Sequence, residues 1–228
     1  MKCKETCYMC NAEATSKEHV PPKSLFPKDS ELGKGVTMRK NLIKVPSCDT
    51  HNSSKSIDDE YIMLVMSCAF YGNEFKSALF ERRALKAFKR KPHILDTIFN
   101  NPKKVFLDDG KSDKLEESMS FEVDLDRVDS IFHHMACGIY YHHFKEKWLG
   151  SSKNTINFLS YLGTPNDVEL NKNHFELNEK TREIFYNLAP YGDNREVFSY
   201  RISKKDNGES VIFLEFYEQL RVAVVFLA

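Results

Sequence analysis

Two short metal-ligand motifs constrain the first part of this chain more than any other feature. Cys7-x-x-Cys10 and Cys48-x-x-His51 each hold two ligand side chains at a spacing that lets one turn of backbone bring both to a single ion. The first 60 residues are polar and interrupted by prolines and glycines, so they cannot bury a large core. We therefore expect a bound metal to stabilise this region by linking the two motifs.

Together the motifs supply thiolates and one imidazole. Four protein ligands complete a tetrahedral zinc site and leave no position for water, which is typical of a structural zinc. Cys3 is an alternative fourth ligand, because it precedes Cys7 closely enough to replace His51 and free that imidazole for another role. The sequence predicts a structural zinc site at Cys7, Cys10, Cys48 and His51, with Cys3 as the alternative to His51.

An acid and a histidine, Glu18 and His19, lie between the two motifs and precede Val20-Pro21-Pro22. Proline restricts this segment to an extended backbone. Successive side chains of an extended segment point to opposite faces, so Glu18 and His19 can act at one ion only if the backbone bends there. The alternative interpretation is a loop histidine hydrogen-bonded to a carboxylate.

The segment from Cys7 to about Tyr61 resembles the HNH, or ββα-metal, endonuclease family. Members have a strand with an acid-histidine pair, a loop and second strand with an asparagine, and a helix whose first turn gives the last motif residue. In this sequence the matching residues are Glu18, His19, Asn41 and Asn52. Asn52 stands where histidine is usual, so the chain is similar to a zinc-containing H-N-N variant.

The resemblance implies a metal-dependent mechanism. It assigns His19 as the general base that takes a proton from water, and Glu18 and Asn52 as ligands of one Mg²⁺ or Mn²⁺ ion, for which carboxylate and amide oxygens are suited. It assigns Asn41 to bracing the loop that orients His19. Lys55, one turn along the helix, is a candidate contact for a flanking phosphate, and the alternative is a solvated lysine on the helix surface.

The composition indicates a globular chain. Of its 228 residues, 41% are hydrophobic and 12% aromatic, which allows a sizeable core. The sequence has neither a signal-peptide pattern nor an apolar run long enough for a bilayer, so we expect a cytoplasmic protein with reduced thiols and no membrane contact. We expect an α+β fold, with a zinc-bound HNH module over 1–65 and a mixed α/β accessory region over 66–228, helical to about 150 and β-rich after.

Apolar periodicity and turn signals predict the individual elements. A helix should begin near His51 or Ser56 and run to about Gly72. Later elements are helices over 74–91, 93–99, 127–147 and 179–188, short strands over 104–107 and 120–123, and strands over 197–202, 210–215 and 220–227, with a hairpin turn at 206–208. We interpret His133 and Cys137, at i and i+4 on the helix over 127–147, as packing residues rather than metal ligands.

The charges balance, with 33 Lys and Arg against 33 Asp and Glu, so no net field attracts polyanions. Nucleic-acid contacts must therefore come from local patches, and the basic stretch between Lys76 and Lys104 is a candidate. The candidate nucleic-acid contacts are Lys55, Arg82, Arg83 and Lys86. An acidic stretch follows from Asp108 to Asp129, so the alternative is that the two are solvated faces that pair with each other.

The sequence thus predicts an HNH endonuclease that hydrolyses phosphodiester bonds of DNA with a structural zinc and a catalytic Mg²⁺ or Mn²⁺. By analogy it indicates a restriction or phage-defence effector, with a partner protein such as an ATPase subunit. One alternative is a non-catalytic zinc-ribbon module that binds nucleic acid or protein. Another is a metal-dependent RNase.

Overall fold

The computed structural model describes residues 5–53, 55–69, 82–83, 85–87, 89–90, 100–107, 116–162, 164–204 and 209–227. Helices and antiparallel strands are mixed along the chain, which confirms the predicted α+β class. Cys3, the predicted helix over 93–99 and the predicted turn at 206–208 lie outside the described residues. Within the described ranges, none of the helices combines the length and apolar character needed to cross a bilayer.

The N-terminal part is a short hairpin followed by two helices. β1 (Ser16–His19) and β2 (Lys44–Ser47) pair antiparallel, with Glu18 opposite Val45 and His19 opposite Lys44. Two 3₁₀ turns, Lys23–Leu25 and Asp29–Glu31, lie in the long connection between the strands. Helices α1 (Asp49–Ser53) and α2 (Lys55–Cys68) follow, close to the helix start predicted from the sequence.

The middle of the chain contains a hairpin and a long helix. The described residues between 82 and 90 are helical, as predicted. Strands β3 (Asn100–Leu107) and β4 (Glu116–Glu122) pair antiparallel and begin earlier than predicted. Helix α3 (Leu125–Phe144) begins after Asp124, whose carboxylate accepts a hydrogen bond from the Arg127 N–H. Its apolar stripe is buried as predicted, at Val128, Ile131, Phe132, Met135, Ile139 and Tyr140.

The C-terminal part is an antiparallel sheet and one helix. The strands are β5 (Ser151–Ile156), β6 (Phe198–Lys204), β7 (Ser210–Phe216) and β8 (Leu220–Leu227), in the order β5-β8-β7-β6. The last three confirm the sequence prediction. The helix predicted over 179–188 is in fact α4, Asp167–Phe185. The first half of α4 has exposed apolar residues, Val168, Phe175 and Leu177, and so lacks the apolar stripe on one face from which a helix is predicted.

The main hydrophobic cluster contains residues from both the N-terminal and the C-terminal parts. Helix α3 connects them, since it packs against α2 and β2 on one side and β5 and β8 on the other. At Gly138 of α3, an added Cβ would lie 2.7 Å from the Val20 Cγ2, so the helix approaches the end of β1 closely. Val65 and Met66, on the two sides of the predicted boundary, both belong to this cluster, and the division of the chain near residue 65 stays a prediction.

Candidate functional site

Local backbone hydrogen bonds bring the two metal-ligand motifs together. The Cys7 N–H donates to the Ala12 carbonyl and closes the turn that contains the first motif. The Tyr8 N–H donates to the Pro46 carbonyl of β2 at 2.8 Å. Cys48 directly follows β2, and the His51 N–H in α1 donates to the Cys48 carbonyl. The hairpin and α1 therefore position all the ligands of both motifs.

The ligand atoms have the spacing of a tetrahedral zinc site. The Cys10 and Cys48 sulfurs are 3.8 Å apart, and the His51 Nδ1 lies 3.5, 3.6 and 3.3 Å from the sulfurs of Cys7, Cys10 and Cys48. All four atoms lie within 4.8 Å of one another. Zn–S bonds of about 2.3 Å in tetrahedral geometry place sulfurs about 3.8 Å apart. The cluster can therefore hold a structural metal such as zinc.

The surroundings of this cluster suit a bound metal. Burial acts to raise the pKa of the Cys48 thiol, but hydrogen bonds from the His51 backbone and ring lower that pKa to about 6, which favours the metal-binding thiolate. Lys147, beyond α3, donates to the Thr6 hydroxyl at 2.8 Å and to the Cys10 carbonyl at 2.7 Å. The segment after α3 therefore holds the Cys7–Cys10 turn in place.

Glu18 is buried beside the cluster, with 3% of its surface exposed. Its Oε1 accepts a hydrogen bond of 2.9 Å from the Tyr8 phenol and forms an ion pair with Lys55. Its Oε2 is buried and has no hydrogen-bond partner among the described residues. Burial raises the pKa of the nearby Asp59 to about 6, while Lys55 opposes that rise. Lys55, predicted as a phosphate contact, is thus engaged inside the protein.

Asn52 lies over the same face of β1 as Glu18. Its amide nitrogen donates to the Ser16 hydroxyl at 2.8 Å, and Ser16 and Glu18 share a face because they are two residues apart on a strand. This hydrogen bond uses the amide nitrogen of Asn52, and a cation would use the amide oxygen. The structure therefore brings Glu18, Asn52 and Lys55 to one face of the hairpin.

His19 points to the other face, as strand alternation predicts. It is partly buried in a groove of about 600 Å³ whose other lining residues are Lys23, Asp29, Thr37, Arg39, Asn41, Leu42 and Lys44. Burial lowers the pKa of the imidazole, and the charges of Lys44, Lys23, Lys55 and Arg39 lower it further. The groove thus presents an imidazole whose neutral form is favoured, among basic side chains.

Asn41 lines the same groove but extends away from the hairpin. Its backbone is left-handed, with φ of 44°, and its side-chain nitrogen donates to the Asp193 carboxylate at 2.6 Å. The predicted role of bracing the His19 loop stays a prediction. The partner of Asn41 comes from the C-terminal part of the chain, which the sequence motif does not include.

The predicted nucleic-acid contacts near residue 83 differ in exposure. Arg82 and Lys86 are exposed, and the Lys86 ammonium lies 3.9 Å from the Glu31 carboxylate. Arg83 is only 8% exposed, and its guanidinium binds the Glu31 carboxylate at 2.9 Å and the Ser24 carbonyl at 3.1 Å. Arg83 is therefore engaged within the protein, which removes it from the exposed surface that a phosphate would reach.

The α3 residues interpreted as packing groups make contacts of that kind. The His133 Nδ1 lies 2.8 Å from the Ser152 hydroxyl, and the Nε2 lies 3.5 Å from the Cys137 sulfur. Burial raises the pKa of the Cys137 thiol to about 12, so the thiol stays protonated. These residues join α3 to β5.

Sequence reasoning missed several residues at this site. Tyr8 lies inside the first motif, so its position next to the zinc ligands was an available signal for a supporting role. The groove lysines and Arg39 were visible as basic residues between the two motifs. Asp193 had no signal, because only the tertiary fold brings it to Asn41 across more than 150 residues of sequence.

Comparison with protein-family models finds no match, and neither the curated proteins nor the solved structures match this chain. The class defined here is an α+β protein with a Cys₃His site that can hold a structural metal.

Proposed function

We propose that this chain is a metal-dependent endonuclease of the HNH, ββα-metal type that hydrolyses phosphodiester bonds of DNA. The observation that carries the proposal is the groove at the end of the metal-linked hairpin, where His19 lies among Lys23, Arg39 and Lys44. A histidine among cations supports phosphodiester hydrolysis, because the imidazole can take a proton from water while the cations attract the phosphate.

His19 is the proposed general base. A base must be neutral to take a proton, and both burial and the neighbouring cations lower the pKa of His19 and favour that form. The same cations attract the phosphate backbone and hold it close to the imidazole. Lys23 and Lys44 are exposed, so both are accessible to a polyanion.

Glu18 and Asn52 are the proposed ligands of the Mg²⁺ or Mn²⁺ ion. The donor set fits a hard cation, because the Glu18 Oε2 is a buried carboxylate oxygen with no hydrogen-bond partner in the described structure and Asn52 adds an amide oxygen. Because Glu18 and His19 point to opposite faces of β1, a divalent cation bound there would act on the phosphate held beside His19 only if the backbone bends at this pair. It would then stabilise negative charge on the leaving oxygen. Tyr8 and Lys55 hold the Glu18 carboxylate in a fixed orientation through its other oxygen.

The test is cleavage of plasmid DNA and of RNA with Mg²⁺, Mn²⁺ or EDTA. Wild type and the control His142→Ala, which alters a histidine outside the groove, should cleave DNA only with metal. His19→Ala should lose activity by about 100-fold or more, because general-base catalysis contributes about that much. Metal-dependent cleavage that survives in His19→Ala would exclude His19 as the base. Cleavage of RNA but not of DNA would mean that the substrate is RNA.

One observation favours a non-catalytic zinc module that binds nucleic acid or protein. The buried Lys55 ammonium already balances the charge of Glu18, so this carboxylate needs no metal ion for charge neutralisation. That alternative predicts no cleavage of DNA or RNA in any metal by either wild type or His19→Ala.

A further inference from the structure

Both walls of the His19 groove are attached to the C-terminal sheet. One wall is formed by the loop with Thr37, Arg39 and Asn41, and the other by the 3₁₀ turn that begins at Lys23. The sequence motif accounts for neither attachment, because the residues that hold the walls lie after α4, in the loop before β6 and in the turn after β7.

The first wall is held by residues 191–195, which we name the clamp loop. The Asn194 side chain binds the backbone of Lys40 twice: its oxygen accepts from the Lys40 N–H at 3.2 Å, and its nitrogen donates to the Lys40 carbonyl at 2.7 Å. Asp193 accepts the 2.6 Å bond from Asn41. Lys40 stands between Arg39 and Asn41, so fixing its backbone fixes both groove residues.

The clamp loop is itself anchored on β6. Tyr191 and Tyr200 exchange two backbone hydrogen bonds, of 2.8 and 3.1 Å, and the Asn194 carbonyl accepts from the N–H groups of Val197 and Phe198 at 2.9 Å each. Gly192 has φ of 120°, and a Cβ there would lie 2.9 Å from the Phe198 carbonyl oxygen, so glycine is required. The clamp loop therefore presents Asp193 and Asn194 from a fixed backbone.

The second wall is held by Tyr217, just after β7. Its phenol donates to the Leu25 carbonyl in the 3₁₀ turn, and its N–H donates to the Val197 carbonyl at 2.8 Å. Tyr217 and the clamp loop are thus joined through the segment that leads into β6. Segments that adjoin strands of one sheet therefore contact both sides of the groove.

We infer that Asp193 and Asn194 are positioning residues for the His19 groove, so that the C-terminal region forms part of the nuclease site. This inference rests on the proposed function. A groove that must hold a phosphate next to a base loses rate when a wall shifts by about 1 Å, and losses of about 100-fold are known for such displacements. The clamp contacts act on the wall and not on the reacting atoms.

The experiment compares full-length Asn194→Ala, Asp193→Ala and Asp193→Asn with the control Asn173→Ala, which alters an exposed asparagine of α4. Hydrogen exchange of the segment over 37–44 is measured without substrate. Loss of one hydrogen bond should make the Lys40 amide exchange about fivefold faster in Asn194→Ala, and the control should match wild type.

Cleavage is then measured with Mg²⁺ and DNA, and kcat and KM are separated. Asn194→Ala should lose about tenfold or more in kcat, while its melting temperature falls by only about a few degrees. Asp193→Asn, which keeps an acceptor oxygen for Asn41, should retain more activity than Asp193→Ala. An effect on stability alone would lower the melting temperature and leave kcat of the folded fraction unchanged.

The outcomes separate the two ideas. Unchanged exchange of the Lys40 amide in Asn194→Ala overturns the clamp itself, whether or not the chain is a nuclease. If wild type is active and Asn194→Ala has the same kcat, the positioning role is overturned and the proposed function still stands. A wild type inactive on DNA and RNA overturns the proposed function and the catalytic part of this inference, while faster exchange would still support the contact.

Discussion

The phenol of Tyr8 donates a 2.9 Å hydrogen bond to the carboxylate of Glu18, and both side chains are buried. Tyr8 stands between the metal-cluster ligands Cys7 and Cys10, whereas Glu18 is the proposed ligand of the catalytic cation. Burial and the Glu18 carboxylate raise the pKa of the Tyr8 phenol well above its ordinary value, so it remains a donor. The Cys₃His cluster and the proposed catalytic site are therefore joined by a buried contact.

Tyr8→Phe should weaken the fold without releasing zinc. The substitution removes a donor to a buried carboxylate and leaves the metal ligands intact, so the free energy of unfolding should fall by about 1.5 to 3 kcal/mol. Urea denaturation and zinc content measure the two effects. The control Tyr186→Phe alters a phenol that is 77% exposed and should change neither quantity. Zinc loss in Tyr8→Phe would mean that the Tyr8 hydroxyl supports the cluster directly.

His51→Ala should lose bound zinc and several kcal/mol of stability, because the metal contributes its binding free energy to folding. Asn52→Ala should keep zinc and lose nuclease activity. Elemental analysis and thermal melts check both variants, with Cys68→Ser, an exposed cysteine outside the cluster, as the control. Full zinc content in His51→Ala would instead identify Cys3 as the fourth ligand.

Gly138→Ala should destabilise the fold by overpacking. The new methyl group would lie 2.7 Å from the Val20 Cγ2, and overpacked cores lose about 1 to 3 kcal/mol. Gly33→Ala is the matched control, since a Cβ there would lie 4.0 Å from its nearest neighbour, Val36. Combining Gly138→Ala with Val20→Ala should recover part of the loss. If the double variant loses more stability than the two single variants together, the close approach of Gly138 to Val20 would be contradicted.

Stability should fall in acid because of the α3 histidines. Burial lowers the pKa of His133, and burial followed by the charges of His133, Lys55 and His51 lowers that of His134 to about 4. As the pH falls below about 6.5, these histidines bind protons in the unfolded chain before they do so in the folded chain. Each histidine therefore lowers the free energy of unfolding by at most about 1.4 kcal/mol per pH unit. The loss develops between pH about 6.5 and about 4.

Denaturation curves from pH about 7 to about 4.5 measure this slope. His133→Asn should make the slope shallower, whereas His174→Asn, on α4, should leave it unchanged. Any acid release of zinc affects both variants alike, so the difference between them isolates the histidine. Equal slopes in wild type and His133→Asn would contradict the assignment to His133.

The sequence predicted the elements whose signals are local. The apolar stripe of α3 and the last three strands were correct because burial on one side imposes a period on neighbouring residues. Helix α4 was predicted too short, since its exposed apolar residues give no such period. The cluster of four possible metal ligands was predicted because each motif places two ligand side chains close together in sequence, and two such pairs make up the four ligands of a tetrahedral ion.

By itself, then, the sequence determined the metal cluster and the opposite directions of Glu18 and His19, both of which depend on bond geometry over a few residues. Only the tertiary structure decided how those residues are surrounded. It buried Lys55 against Glu18, took Arg83 out of the predicted basic surface, and brought Asn194 to Lys40. These contacts join residues 37, 52 and 154 positions apart, and such pairings depend on packing of the whole core.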